Sequence, residues 1–174
     1  GVAVDRATIV AGARALGAPA RDGAAYVFGP GEDCGLAPAF DGLEAVGCVG
    51  DRYYLTVEAE DDTVMAGFLV TGSYDFVDDL VVMDMTHLAS IPMGLNIPNV
   101  AEETILMDGD RVITISEANG VNLNPHPVAK VFNADAEFVG VLPLPNIEYR
   151  VTAATALDSE GRFWVLNYYF PPER

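Results

Sequence analysis

Gly109-Asp110-Arg111-Val112-Ile113-Thr114-Ile115-Ser116-Glu117-Ala118 repeats the plan of Gly50-Asp51-Arg52-Tyr53-Tyr54-Leu55-Thr56-Val57-Glu58-Ala59. In each, a Gly-Asp-Arg turn opens a run of β-branched and aromatic residues that closes on Glu-Ala, the pattern of a strand leaving a tight hairpin. The unit returns in shorter form at both flanks: Asp5-Arg6 precedes the run 7–11, and Gly161-Arg162 precedes the run 163–167. The anchoring residues Arg6, Arg52, Arg111 and Arg162 are spaced 46, 59 and 51 apart. A period of about 50 residues is the size of one β-propeller blade.

Outward from the turns, further strands are predicted in a fixed order. Residues 2–4, 43–49, 104–107 and 153–157 run into the turns. Third strands follow at 24–28, 66–70 and 128–132, and fourth strands at 80–83 and 138–142. No segment keeps a helical period for three turns. A four-stranded meander cannot bury both of its faces alone, so such units must stack. The expected fold is all-β: a partial propeller ring of about three and a half four-stranded blades at 1–40, 41–98, 99–146 and 147–174, the last incomplete, with six or seven blades in the complete ring. A β-sandwich is the alternative. An open arc would expose apolar blade faces at ~25 cal/mol per Å². The remaining blades are therefore expected from further sequence of the same polypeptide, from a second chain or from a symmetry mate.

The 174 residues are 51% hydrophobic, enough for a core, and no apolar run has the length of a membrane span. Against 26 Asp and Glu stand 9 Lys and Arg, a formal charge of −17. Such a surface repels phosphate, so nucleic acid and anionic membrane are not expected partners. Cys34 and Cys48 either form a disulfide, as in an oxidising compartment, or leave Cys48 as a small buried hydrophobe. Tyr53, Tyr54 and Trp164 are assigned to the core.

The turns also organise the acids. Glu44 and Glu58 lie seven residues either side of Asp51, and Glu103 and Glu117 seven either side of Asp110. If each Asp is the tip of a hairpin, each pair is cross-strand, and opposed like charges are destabilising. A bound cation, an arginine such as Arg150, or a proton held at a raised pKa would offset the repulsion. Carboxylates with amide and carbonyl oxygens suit a hard cation such as calcium. Glu44, Glu58, Glu103, Glu117 and Asn119 are therefore the candidate metal ligands, and Arg150, Glu148 and His126 the candidate substrate-binding residues. The alternative is that these side chains fan into solvent, with a bulge changing the register. No organic cofactor is expected. The sequence has no Walker loop, EF-hand loop, HExxH or G-x-S-x-G motif, and no catalytic residue is identified.

The first unit resembles the FG-GAP-type repeat of extracellular propellers in Val2-Ala3-Val4-Asp5, Ile9-Val10-Ala11-Gly12-Ala13 and Gly23-Ala24-Ala25-Tyr26-Val27-Phe28. It departs from the calcium-binding form in residues 14–22, which lack the alternating Asp loop. From Asp41 onward the chain is similar to the esterase-like phytase group of secreted bacterial propellers. The carrying residues are Leu43-Glu44-Ala45, Leu55-Thr56-Val57-Glu58-Ala59, Ser116-Glu117-Ala118-Asn119-Gly120, Ile147-Glu148-Tyr149-Arg150, and Leu157-Asp158 with Gly161-Arg162-Phe163-Trp164. That resemblance implies a secreted or periplasmic protein with a calcium-assisted phosphoester or ester hydrolase site. A more distant similarity is to gluconolactonase-type propellers, which hold one divalent ion. The reading of the residues themselves favours a binding or interaction module with a protein or glycan partner, possessing a cation in its channel as an option. The calcium-dependent hydrolase is the alternative.

Overall fold

In a computed structural model of the chain, the Gly50 and Gly109 turns fold alike. The structure describes residues 3–5, 8–10, 12–13, 24–28, 39–61, 64–77, 80–97 and 100–169. Gly50 and Gly109 have φ of 61° and 63°, whereas Asp51 and Asp110 stay at negative φ. Paired residues Val49↔Arg52 and Asp108↔Arg111 close these two-residue loops. A positive φ at the first central position alone is the type II′ pattern, which places glycine there and matches the twist of its strands.

The strands in chain order are β1 (Ala3–Asp5), β2 (Thr8–Val10), β3 (Gly12–Ala13), β4 (Ala24–Phe28), β5 (Ala39–Val49), β6 (Arg52–Asp61), β7 (Val64–Asp75), β8 (Leu80–Ile91), β9 (Thr104–Asp108), β10 (Arg111–Ile115), β11 (Val128–Phe132), β12 (Phe138–Pro143), β13 (Arg150–Ala154) and β14 (Val165–Tyr168). The fold is all-β, with no helix among the described residues, so none is long and apolar enough to cross a membrane. β5 to β8 form an antiparallel meander in a long sheet of order β3-β4-β8-β7-β6-β5, and β9 to β12 form a four-stranded middle sheet. β13 and β14 make an end hairpin, and β1 and β2 pair separately. Among the described residues no ring of sheets closes.

The eight strands predicted between 43 and 142 fall on β5 to β12, although β5 to β8 run longer, at 10 to 12 residues each. Two units depart from the expected plan. β4 does not complete a meander with β1 and β2; it adds to the long sheet, parallel to β8. The end hairpin pairs Arg150–Ala154 with Val165–Tyr168, so its first strand begins before the predicted 153–157.

The middle sheet is covered on both faces. Tyr54, Leu69 and Ile91 of the long sheet pack against Ile105, Met107, Val112 and Phe132. On the opposite face, Leu106, Ile113, Ile115, Ala129 and Val131 pack against Val151, Ala154, Phe163 and Val165 around the end hairpin. Alternation along β10 sends Val112 one way and Ile113 and Ile115 the other, as the two-residue period of a strand requires. Two-sided cover leaves β10 and β11 buried along nearly their whole length, while the outer strand β12 is exposed.

The leading strands of successive sheets lie side by side, β5 against β9 and β9 against β13. Gly47 permits the first approach, because a Cβ there would stand 2.5 Å from Ile105 Cγ2. The other face of the long sheet carries its own cluster, with Tyr53, Leu55, Val57, Val70, Val81 and Met83. Trp164, assigned to the core from sequence, is instead 82% exposed, because the segment leading into β14 turns Phe163 and Val165 inward and the residue between them outward.

Candidate functional site

A two-residue loop centres each hairpin between Gly and Asp, not on Asp. The register therefore differs by one residue from an Asp-tipped hairpin, and one residue is enough to change which side chains face each other. In the long sheet, a bulge at Leu43/Ala45 shifts it further before Glu58 is reached. Gly42 stands opposite Glu58, and Glu44 falls inside a bulge. Glu44 and Glu58 are thus not the directly opposed pair that symmetry about Asp51 predicts. Glu58 is buried and Glu44 half-buried.

The second pair meets by a different route. The β9–β10 ladder ends at Ile115↔Thr104, and beyond it the Glu117 N–H donates to the Ala101 carbonyl at 3.0 Å. The Glu103 carboxyl still lies close enough to that of Glu117 to act on its charge. Glu117 Oε2 accepts from Arg150 Nη1 at 2.8 Å, and Oε1 accepts from the Ala101 N–H at 3.3 Å. Burial first, and the Glu103 carboxylate second, push the Glu117 carboxyl up to about 8, although Arg150 pulls it down. Two of the three anticipated offsets, an arginine and a proton, are present at this pair.

Arg150 is brought there by the backbone. Its residue bridges Ala118, and the Val151 N–H donates to the Glu117 carbonyl at 3.0 Å. Asn119 is fully buried at the head of the following loop; its Nδ2 donates to the Ser116 carbonyl, and its Oδ1 has no partner among the described residues. Asn146 ties the loop down by donating to the Asn119 and Asn124 carbonyls at 3.2 and 2.9 Å. Glu148 is exposed and accepts from the Val121 N–H at 3.4 Å. Gly120 lets it approach, since a Cβ would stand 3.1 Å from Glu148 Oε2.

His126 lies at a different place, in a cleft of about 300 Å³ that also takes in Glu102, Ser116, Asn124 and Lys130. Glu102 and Lys130 are both buried and form an ion pair through Oε1 and Nζ. The Glu102 backbone is fixed by Thr56, whose hydroxyl donates to its carbonyl at 2.8 Å and accepts from the Ala45 N–H at 2.9 Å. Glu102 Oε2 has no hydrogen-bond partner among the described residues. Sequence reasoning passed over both charged residues. The available signal was Lys130 itself, the only lysine of the sequence, set within an otherwise apolar strand.

Of the side chains expected to hold calcium, Glu103 and Glu117 meet. Among the described residues no three His, Cys, Asp or Glu side chains form a group that could hold a metal ion. Glu44 sits in its bulge, and both Glu117 oxygens already accept hydrogen bonds. Of the two cysteines, Cys34 lies outside the described residues, while Cys48 is exposed instead of filling the core. What the described residues assemble is a shielded carboxyl pair on one face of the middle sheet and a polar cleft on the other. Compared with family models, curated proteins and solved structures, the chain matches none.

Proposed function

We propose that the chain is an arc of a β-propeller, exported to the cell exterior or periplasm, that works as a binding module with its ligand site in the cleft beside Lys130. The propeller reading is supported by the side-by-side leading strands β5, β9 and β13, since sheets radiating from a common axis meet at their innermost strands. In that arrangement the end hairpin is the start of a further blade, and its exposed Trp164, Leu166 and Tyr168 face the next one. The blades beyond come from further sequence or from another chain.

The observation that carries the binding role is the Glu102–Lys130 pair at the cleft, a fixed donor and acceptor where the lead-in to β9 meets β11. Sites of this kind combine apolar walls with a few placed polar groups. The rival reading is a calcium-dependent phosphoester or ester hydrolase using the Glu103–Glu117 pair. It would need those oxygens free for a cation or substrate, yet Glu117 Oε1 accepts from the Ala101 N–H and Oε2 from Arg150. Turnover of p-nitrophenyl phosphate and p-nitrophenyl acetate, with and without calcium, separates the two. The binding module gives no turnover above the uncatalysed rate. Calcium-dependent turnover that disappears in Glu117→Gln would establish the hydrolase instead.

A further inference from the structure

The cleft between the β8–β9 connection and the middle sheet has an unusual charge balance for so acidic a chain. Its two buried ionic groups cancel, Glu102 against Lys130, within a sequence of formal charge −17. Glu102 Oε2 is left without a partner although the residue is 1% exposed. A buried carboxylate oxygen in that state costs free energy until a donor reaches it. Lys130 spends one Nζ hydrogen on Oε1, and an ammonium carries three. The cleft therefore offers an acceptor and a donor side by side, with Asn124 and His126 beside them.

Each class of small ligand meets these groups differently. A divalent cation drawn to Oε2 would meet the Lys130 ammonium, already in contact with the same carboxylate. An anion drawn to Lys130 would meet the unpartnered oxygen. A neutral hydroxyl satisfies both, since it donates to the carboxylate while a neighbouring hydroxyl oxygen accepts from the ammonium. Apart from Ser116 the rest of the lining is apolar, Pro92, Met93, Leu95, Val128 and Val141 among it, surface suited to the C–H faces of a sugar ring. A volume of about 300 Å³ lies at the low end of the ~300–1,000 Å³ typical of ligand pockets, a size for one ring more than for a chain.

We infer that this cleft takes a neutral polyhydroxylated ligand, a hexose free or at the end of a glycan, held by Glu102 Oε2 and Lys130 Nζ. The inference rests on the binding-module reading and names its ligand class. Titration calorimetry of the chain with neutral hexoses (glucose, mannose, galactose), with glucuronate, and with glucosamine below neutral pH tests it. At least one neutral hexose binds saturably, and better than either charged sugar. Glu102→Gln weakens that binding by ~10-fold or more, the worth of a hydrogen bond to a charged group. His126→Ala, a change at an exposed side chain, weakens it ~3–10-fold and decides the matter if the Glu102 variant fails to fold. Preference for glucuronate or glucosamine, heat from none of the sugars, or neutral binding unchanged in His126→Ala and Glu102→Gln overturns the inference. The turnover assay judges the underlying reading separately, because it needs no sugar.

Discussion

The Gly50 and Gly109 hairpins share a turn, a glycine φ near 60° and a run ending in Glu-Ala, yet their arginines go to different places. Arg52 reaches out of its sheet to Asp135, in the β11–β12 connection of the middle sheet, at 3.0 Å. Its guanidinium also lies 5.9 Å from the centre of the Tyr54 ring, whose hydroxyl donates to the Ala134 carbonyl at 2.9 Å. Arg111 folds back on Asp108 of its own turn. The difference follows from the neighbour. The long sheet faces a sheet with a β11–β12 connection, whereas the middle sheet faces a two-stranded hairpin that has no such connection. Local sequence sets the turn, and the adjoining layer decides what the turn touches.

The same contrast holds one strand earlier. By the spacing of the turns, Leu43 occupies in the Gly50 hairpin the place that Glu102 occupies in the Gly109 hairpin. Making the second resemble the first is the most severe way to break the comparison. Lys130→Met alone leaves Glu102 as an unpaired buried charge and costs about 3–5 kcal/mol of unfolding free energy in urea titration. Adding Glu102→Leu recovers most of that loss, because a well-packed apolar pair does as well as a buried ionic one. A double variant no more stable than the single one would mean that the pair is not the cause.

The next effect depends on pH and belongs to the Gly109 hairpin. Glu117 holds its proton in the folded chain up to about 8 but releases it near 4.5 when unfolded. Between those values the folded state binds the extra proton, so stability falls as pH rises, by up to about 1.4 kcal/mol per pH unit. Glu117→Gln removes this slope, read as a flatter curve of unfolding free energy between pH 5 and 8. A wild-type curve already flat across that window would count against the protonated pair.

The smallest effect separates the two arginines. Arg52→Ala and Arg111→Ala each cost less than about 1 kcal/mol, as exposed ion pairs do. In double-mutant cycles with Asp135→Ala, Arg52 couples and Arg111 adds independently. Equal coupling would erase the distinction drawn between the hairpins.

The strands and turns were legible in the sequence because their signals are local. Val112-Ile113-Thr114-Ile115 reads as strand wherever it is placed, and glycine before aspartate reads as a turn. The partners were not legible to the same degree. Whether Glu44 faces Glu58 depends on a loop one residue shorter than symmetry about Asp51 assumes, and on the bulge at Leu43/Ala45. The meeting of Glu103, Glu117 and Arg150 was anticipated in kind, through the expected offset of like charges, although the ladder does not oppose the acids directly. The Lys130–Glu102 pair was missed because it joins residues 28 apart on β11 and the lead-in to β9, a contact set by packing against the long sheet. Trp164 was misjudged because aromatic content in a strand does not say which face it takes.

That tryptophan has a practical meaning. It is the single indole of the sequence, and it stands in water on the outer face of the end hairpin beside Leu166 and Tyr168. Fluorescence excited at the red edge of protein absorption thus comes from one known point. Anything that covers that face moves the emission toward the blue, so the chain carries a built-in optical gauge of what settles beside its last hairpin.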